Sequence, residues 1–186
     1  MRACVTYLTI SIAFLLIATS NCLMANETMF SPTAPNTIEV KKLPAMTAIR
    51  HTGDEKSYFE GRGSLFMPLF RYIQKNDIAM TTPVETEIDP GVMMFYVGSD
   101  VDTGRLQSSE DVTIHKIPER LVLAVGIRGK YSEENYQSAY TNAQEWLSNQ
   151  STYKASGPPR MMYWDGPYKP SFLKKSELHI TIEKTQ

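Results

Sequence analysis

Ile38-Glu39-Val40-Lys41-Lys42-Leu43-Pro44 and Val112-Thr113-Ile114-His115-Lys116-Ile117-Pro118 are one pattern written twice, 74 residues apart. In each copy apolar and polar residues alternate, the period of a strand with one face against a core. A proline then removes a backbone donor and bends the chain. A second strand-like run follows, residues 45–51 in the first copy and residues 120–128 in the second. Each copy therefore opens on one long strand broken at Pro44 or Pro118.

A helix is predicted next in each copy. In the second, Ser132 stands as N-cap, Glu133 and Glu134 occupy the first turn, and Tyr136, Ala139, Tyr140, Ala143, Trp146 and Leu147 share one face. In the first, Phe59, Phe66, Phe70 and Ile73 have helical spacing, while Gly61 and Gly63 weaken its start and Pro68 predicts a kink. Two further strands complete each copy: residues 78–88 and 93–98, joined by Asp89-Pro90-Gly91, and residues 160–164 and 177–183. The fold class is thus α+β, two β-α-β-β repeats at about residues 38–101 and 112–184 that pair into a larger antiparallel sheet or a distorted barrel. The polar stretch at residues 102–111 joins them within one domain, because each copy alone is too small to bury an adequate core.

The 186 residues are 42% hydrophobic and 21% charged, with a formal net charge of -1, ordinary for a soluble globular protein. The absence of a basic stripe argues against nucleic acid as a partner and against a polybasic membrane contact. Residues 7–19 (YLTISIAFLLIAT) form an apolar run too short and too interrupted by hydroxyls for a comfortable span. The run reads as the core of a secretory signal over residues 1–25, cleaved after Ser20 or Ala25. A linker at residues 26–37 and an exported domain at residues 38–186, periplasmic or extracellular, follow from that reading. Contact with a membrane then needs an uncleaved signal or a lipid on Cys22. Cys4 and Cys22 are the only cysteines, so cleavage after Ala25 leaves a mature domain with no thiol and no disulfide.

His51, His115 and His179 lie in three separate strands, and no two have metal-ligand spacing. Each reads either as a solvated strand-face residue or as a haem ligand, since one imidazole suffices for five-coordinate iron. Leu178, Ile180 and Ile182 share a strand face, which puts Glu177, His179 and Thr181 on the other. No nucleophile elbow, zinc-protease helix or phosphate-binding glycine loop is present, so the chain reads as a binder and not as an enzyme. Met93-Met94-Phe95-Tyr96 and Met161-Met162-Tyr163-Trp164 place large soft side chains on both faces of a strand. Either both faces are covered, or the second lines a cavity for a flat lipophilic ligand.

Ile78, Met80, Thr81, Pro83 and Val84 fall in a string that resembles the Lys-Ile-x-Met-Thr-x-Pro-Val signature of the SOUL haem-binding family, with Asp77 in place of the lysine. Leu69-Phe70-Arg71-Tyr72-Ile73, Ile38-Glu39-Val40-Lys41, Trp164-Asp165-Gly166-Pro167 and Lys175-Ser176-Glu177-Leu178 resemble four further family strings, in the family's order. The resemblance implies a distorted antiparallel β-barrel of two β-α-β-β repeats flanked by two helices, and binding of haem or a related porphyrin. Some family members carry a histidine, proposed as iron ligand, where this chain has Lys42, so that role does not transfer. If haem binds, Lys42, Arg50 and Arg71 are the expected propionate partners. Met80 is expected on a packed strand. Two rival readings stand: a cleft for lipophilic cations, with or without hydrolase activity and with Glu177 or Glu85 as its acid, as in gyrase-inhibitor-like domains, and an interaction module without ligand.

Overall fold

The structure, a computed structural model, describes residues 27–54 and 57–185. The signal-like run, Cys4 and Cys22 lie outside the described residues. Ten elements follow in order: β1 (Ile38–Leu43), β2 (Met46–Thr52), α1 (Tyr58–Lys75), β3 (Val84–Glu87), β4 (Val92–Tyr96), β5 (Thr113–Ile117), β6 (Arg120–Arg128), α2 (Glu133–Ser148), β7 (Tyr153–Tyr163) and β8 (Lys175–Lys184). The strands form one antiparallel sheet in the order β1-β6-β8-β7-β3-β4-β2-β5.

Leu43 faces Arg120 and Met46 faces Ile117, three residues forward on one strand and three back on the other. The pairs β1–β2 and β5–β6 therefore run as two bent strands in a single register across Pro44 and Pro118. The prolines sit in the gap where neither strand needs a ladder donor. This register brings the two ends of the sheet together, and the sheet curls into a barrel-like wall.

Period-two alternation sorts the side chains. Outward, Ile49, Met93, Phe95, Leu123, Val125, Met161, Leu178, Ile180 and Ile182 form the main core with α1 and α2. Inward, Leu43, Met46, Ala48, Val92, Met94, Tyr96, Ile117 and Val122 form a second apolar cluster, onto which Met29 and Phe30 pack. Both faces of the Met- and aromatic-rich strands are thus covered.

Helix α2 follows the expected face: Ser132 Oγ accepts from Asn135 N–H, and Tyr136, Ala139 and Ala143 are buried. Helix α1 is capped by Ser57, but its break falls at Gly61 (φ -113°, ψ 23°), and the helix continues through Pro68. The third strand is shorter than expected. Only Val84–Glu87 pairs, because Thr81 Oγ1 donates to the Tyr96 carbonyl, Pro83 has no donor, and Thr82 pairs with Glu27 and Met29. Met80 lies in this unpaired stretch, half-buried against the main core. Strand β7 is longer than expected, with its register broken between Ala155 and Pro159.

Candidate functional site

Inside the sheet, the alternation aims charged side chains at one another. From β3, Glu85 is fully buried, accepts three hydrogen bonds and pairs with a second arginine. Arg120 of β6 donates Nη2 at 2.7 Å and Nη1 at 3.2 Å, the Tyr96 hydroxyl of β4 donates to Oε2, and Arg160 Nε of β7 stands 3.1 Å from Oε1 as an ion pair. Burial alone would raise the Glu85 pKa, but Arg120, and behind it Tyr96 and Arg160, outweigh it and hold the carboxyl below its ordinary value. Burial and the Glu85 charge push the Tyr96 phenol well above its usual range, so it stays a donor. Arg160 also reaches Glu87 at 3.3 Å and Thr181 Oγ1 at 3.3 Å.

A second cluster sits nearer the start of β8. Glu177, also fully buried, accepts from Thr33 N–H (2.6 Å), Thr33 Oγ1 (2.9 Å) and Lys41 Nζ (3.1 Å). His179 Nε2 lies 2.7 Å from Glu177 Oε2. Burial opposes ionisation of Glu177, but His179, Lys41 and the Thr33 amide prevail and bring its pKa down to about 2. Burial lowers the His179 pKa, so its ring is neutral at pH 7 and its Nε2–H is donated to Glu177. Its Nδ1 is buried without a partner.

Residues 27–37, expected as a linker, supply part of this cluster. Met29 N–H bonds to the Thr82 carbonyl, Lys41 Nζ donates to the Ser31 carbonyl, and Asn36 and Thr37 pair with Gly126. The Phe30 ring sits among Trp164 (5.4 Å between centroids), His179 (5.8 Å) and Tyr96 (6.1 Å). A Cβ on Gly126 would stand 2.1 Å from the Ala34 carbonyl oxygen, so only glycine lets the arm approach β6 this closely.

The other end of the interior opens to solvent. A depression of about 290 Å³ there is lined by Met94, Ile117 and Pro118, by Arg120 and Arg160, and by His115. Its neighbour, of about 360 Å³, shares Ile117 and Pro118 and continues past Met46. Arg120 is only 10% exposed, yet its Nε–H has no acceptor.

The structure scatters part of the expected set. Lys42 points outward and pairs with Glu119 at 2.8 Å. Arg50 and His51 line a separate polar depression of about 380 Å³ with Asp54 and Asp111, and His51 Nδ1 lies 2.6 Å from the Asp111 carbonyl. Arg71 is exposed on α1. Glu177 and His179 come together in the interior, Arg50 and His51 share the separate depression, and His115 alone reaches the open mouth. The solvated-face reading of His179 is overturned, because the inward face of a curled sheet is dry. Arg120, Arg160 and Phe30 are new to the site. Arg120 heads β6 and Arg160 precedes Met161-Met162 in β7, positions that carry no local sign of a dry interior.

A curled antiparallel sheet with an apolar, charge-lined mouth is the build of a small-molecule-binding module. The chain belongs to the SOUL heme-binding protein family, whose sequence profile matches residues 26–181. Family membership points to haem or another tetrapyrrole as ligand. Among curated proteins none matches the sequence. Among solved structures the chain is similar to the C-terminal domain of EcmrR, at 17% identity and a TM-score of 0.66 over 80% of this chain and 98% of that one. It is also similar to EcmrR in an EcmrR–DNA complex, at 16% identity and a TM-score of 0.65, spanning 80% of itself and 58% of that longer chain. A third is SAV2435 bound to tetraphenylphosphonium, 12% identical with a TM-score of 0.52, covering 79% of this chain and 94% of that one. At such identities the likeness is one of fold. Among the described residues no group of three or more His, Cys, Asp or Glu side chains is placed to hold a metal ion.

Proposed function

We propose that this protein is an exported tetrapyrrole carrier or buffer that binds haem, or a close relative, at the open mouth of the sheet, by binding and release without turnover. One observation carries the reading: Arg120 presents a buried Nε–H with no acceptor beside an apolar wall that also holds an exposed imidazole. A porphyrin needs these three things, a wall for its face, cations for its propionates and one ligand for its iron. Met46, Met94, Ile117 and Pro118 would contact the macrocycle, Arg120 and Arg160 the carboxylates, and His115 the iron. Bound haem supplies its own redox-active iron; the protein supplies the surface and the charges. Export is supported by the signal-like run at residues 7–19.

The test is a haemin titration of the full chain followed at the Soret band. The expected outcome is saturable one-to-one binding, with the shift altered by His115→Ala, weakened by Arg120→Gln and unchanged by His51→Ala. An unaltered His115→Ala spectrum would remove the mouth as the site. A second reading is favoured by the Glu177 cluster, where the buried carboxylate and His179 stand beside Phe30, itself packed on Trp164 and Tyr96. Displacement of Phe30 by a lipophilic cation such as tetraphenylphosphonium, the ligand of SAV2435, would engage that carboxylate. Absence of any saturable haemin shift, together with tetraphenylphosphonium binding lost in Glu177→Gln, would establish it instead.

A further inference from the structure

The connection between β7 and β8 presents apolar side chains to water. Tyr168 is 100% exposed, Phe172 71% and Leu173 40%. Isolated exposed apolar residues are ordinary, but three on one short loop are not what a fully solvated connection selects. Basic groups surround them. Lys174 and Lys175 follow directly, and Lys175 stands opposite Arg128 across the β6–β8 ladder. Like charges in register repel, and among the described residues neither has an ion-pair partner, whereas Lys169 is taken up by Asp165 at 2.7 Å. Lys174 holds its Nζ 5.0 Å from the centroid of the Tyr131 ring, also without a carboxylate. The mean charge of the chain hides this local excess.

The loop also lies where the N-terminal segment joins the domain. β3 begins opposite the end of β7, Val84 against Tyr163. Glu27 and Met29 pair with Thr82, and Phe30 packs on Trp164 at the base of the loop. Glu27 and Met29 therefore lie at the same end of the domain as the β7–β8 connection.

We propose that Tyr168, Phe172 and Leu173, flanked by Lys174, Lys175 and Arg128, form a membrane-docking tip that inserts into the headgroup region of an anionic lipid surface. The aromatic rings suit the interface, where one end is apolar and the other wet. The cations supply the second attraction that stable peripheral binding requires. The occupant is a lipid surface, since the exposed aromatic and apolar side chains stand beside three cations that, among the described residues, no carboxylate takes up.

The experiment uses the full chain with Phe172→Trp, on vesicles of phosphatidylcholine alone and of phosphatidylcholine with phosphatidylglycerol. The new tryptophan is read as the difference from the parent, which carries Trp146 and Trp164. A blue shift and quenching by brominated lipid on anionic vesicles only, reversed by salt, is expected. Lys174→Gln with Lys175→Gln should cut the quenched fraction's apparent partition coefficient by about a factor of five for each lysine. If the chain sediments with vesicles while the new tryptophan stays water-like, the tip does not insert and the apolar run alone accounts for binding. Equal insertion on neutral vesicles would overturn the basic contribution.

Discussion

At Glu85 a carboxylate is held out of water by three hydrogen bonds and a second guanidinium, and the stability of that arrangement is asymmetric. The intact network roughly offsets its desolvation cost, but removing one partner strands the rest. Glu85→Ala leaves Arg120 with only the Tyr96 hydroxyl, 3.4 Å away, in a site where its side chain is nine-tenths buried. The expected loss is about 3–5 kcal/mol in urea denaturation. Glu119→Ala, which breaks the exposed pair with Lys42, should cost under about 1 kcal/mol. Equal effects of the two substitutions would show that Glu85 is not in a dry network. The sequence reading missed this cluster for a physical reason. Alternation told which side of the strand Glu177, His179 and Thr181 share, but not whether that side is wet. Dryness depends on the sheet curling on itself, which rests on pairings between residues far apart in sequence. Arg120 and Arg160 were invisible for the same reason. Lys42 stands where some family members carry a histidine, but its outward parity in β1 already argued against an interior contact.

At the scale of elements, the arm at residues 27–37 decides what the interior is. It reads as a linker because two prolines and no period leave it without secondary structure of its own. Its hydrogen bonds are instead made with β6, β8 and Thr82, which local pattern cannot reveal. Gly126 is the residue that admits it. Gly126→Ala drives a methyl group into the Ala34 carbonyl, so either the arm lifts or β6 shifts. Overpacking of this kind costs about 1–3 kcal/mol. The expected consequence is loss of hydrogen-exchange protection at the Thr33 amide, with a red shift of Trp164 emission as Phe30 leaves it. Protection retained at Thr33 in a variant of normal stability would mean that the arm tolerates the extra atom. The bent strands, by contrast, were legible. Pro44 and Pro118 terminate matching alternations, and each string pairs with the run that follows the other, β1 with β6 and β5 with β2. Helix α1 was legible only in part, since Pro68 is the stronger breaker on paper, yet the turn gives way at Gly61.

The molecule as a whole carries its charges in two regimes: a dry interior where acids and bases are matched, and a basic tip at one end. The dry regime sets how the fold responds to acid. His179 has its pKa lowered from 6.5 by burial, and Glu177 has its pKa lowered from 4.5 to about 2. In both cases the unfolded chain binds a proton that the folded chain resists, so stability falls as pH falls. Above pH 6.5 both contributions are complete. Below it the unfolded chain protonates His179, and a first decline begins. Below about pH 4.5 unfolded Glu177 and Glu85 take protons while their buried counterparts do not, and the decline steepens toward pH 2. Urea midpoints measured from pH 8 to pH 3 should show the two stages. His179→Gln, which keeps a donor for Glu177 but cannot titrate, should flatten the first and spare the second. A flat profile between pH 7 and pH 5 in the unmodified protein would mean that His179 is not held neutral, and Glu177 would then be half of a charged pair and not the acceptor of a neutral imidazole.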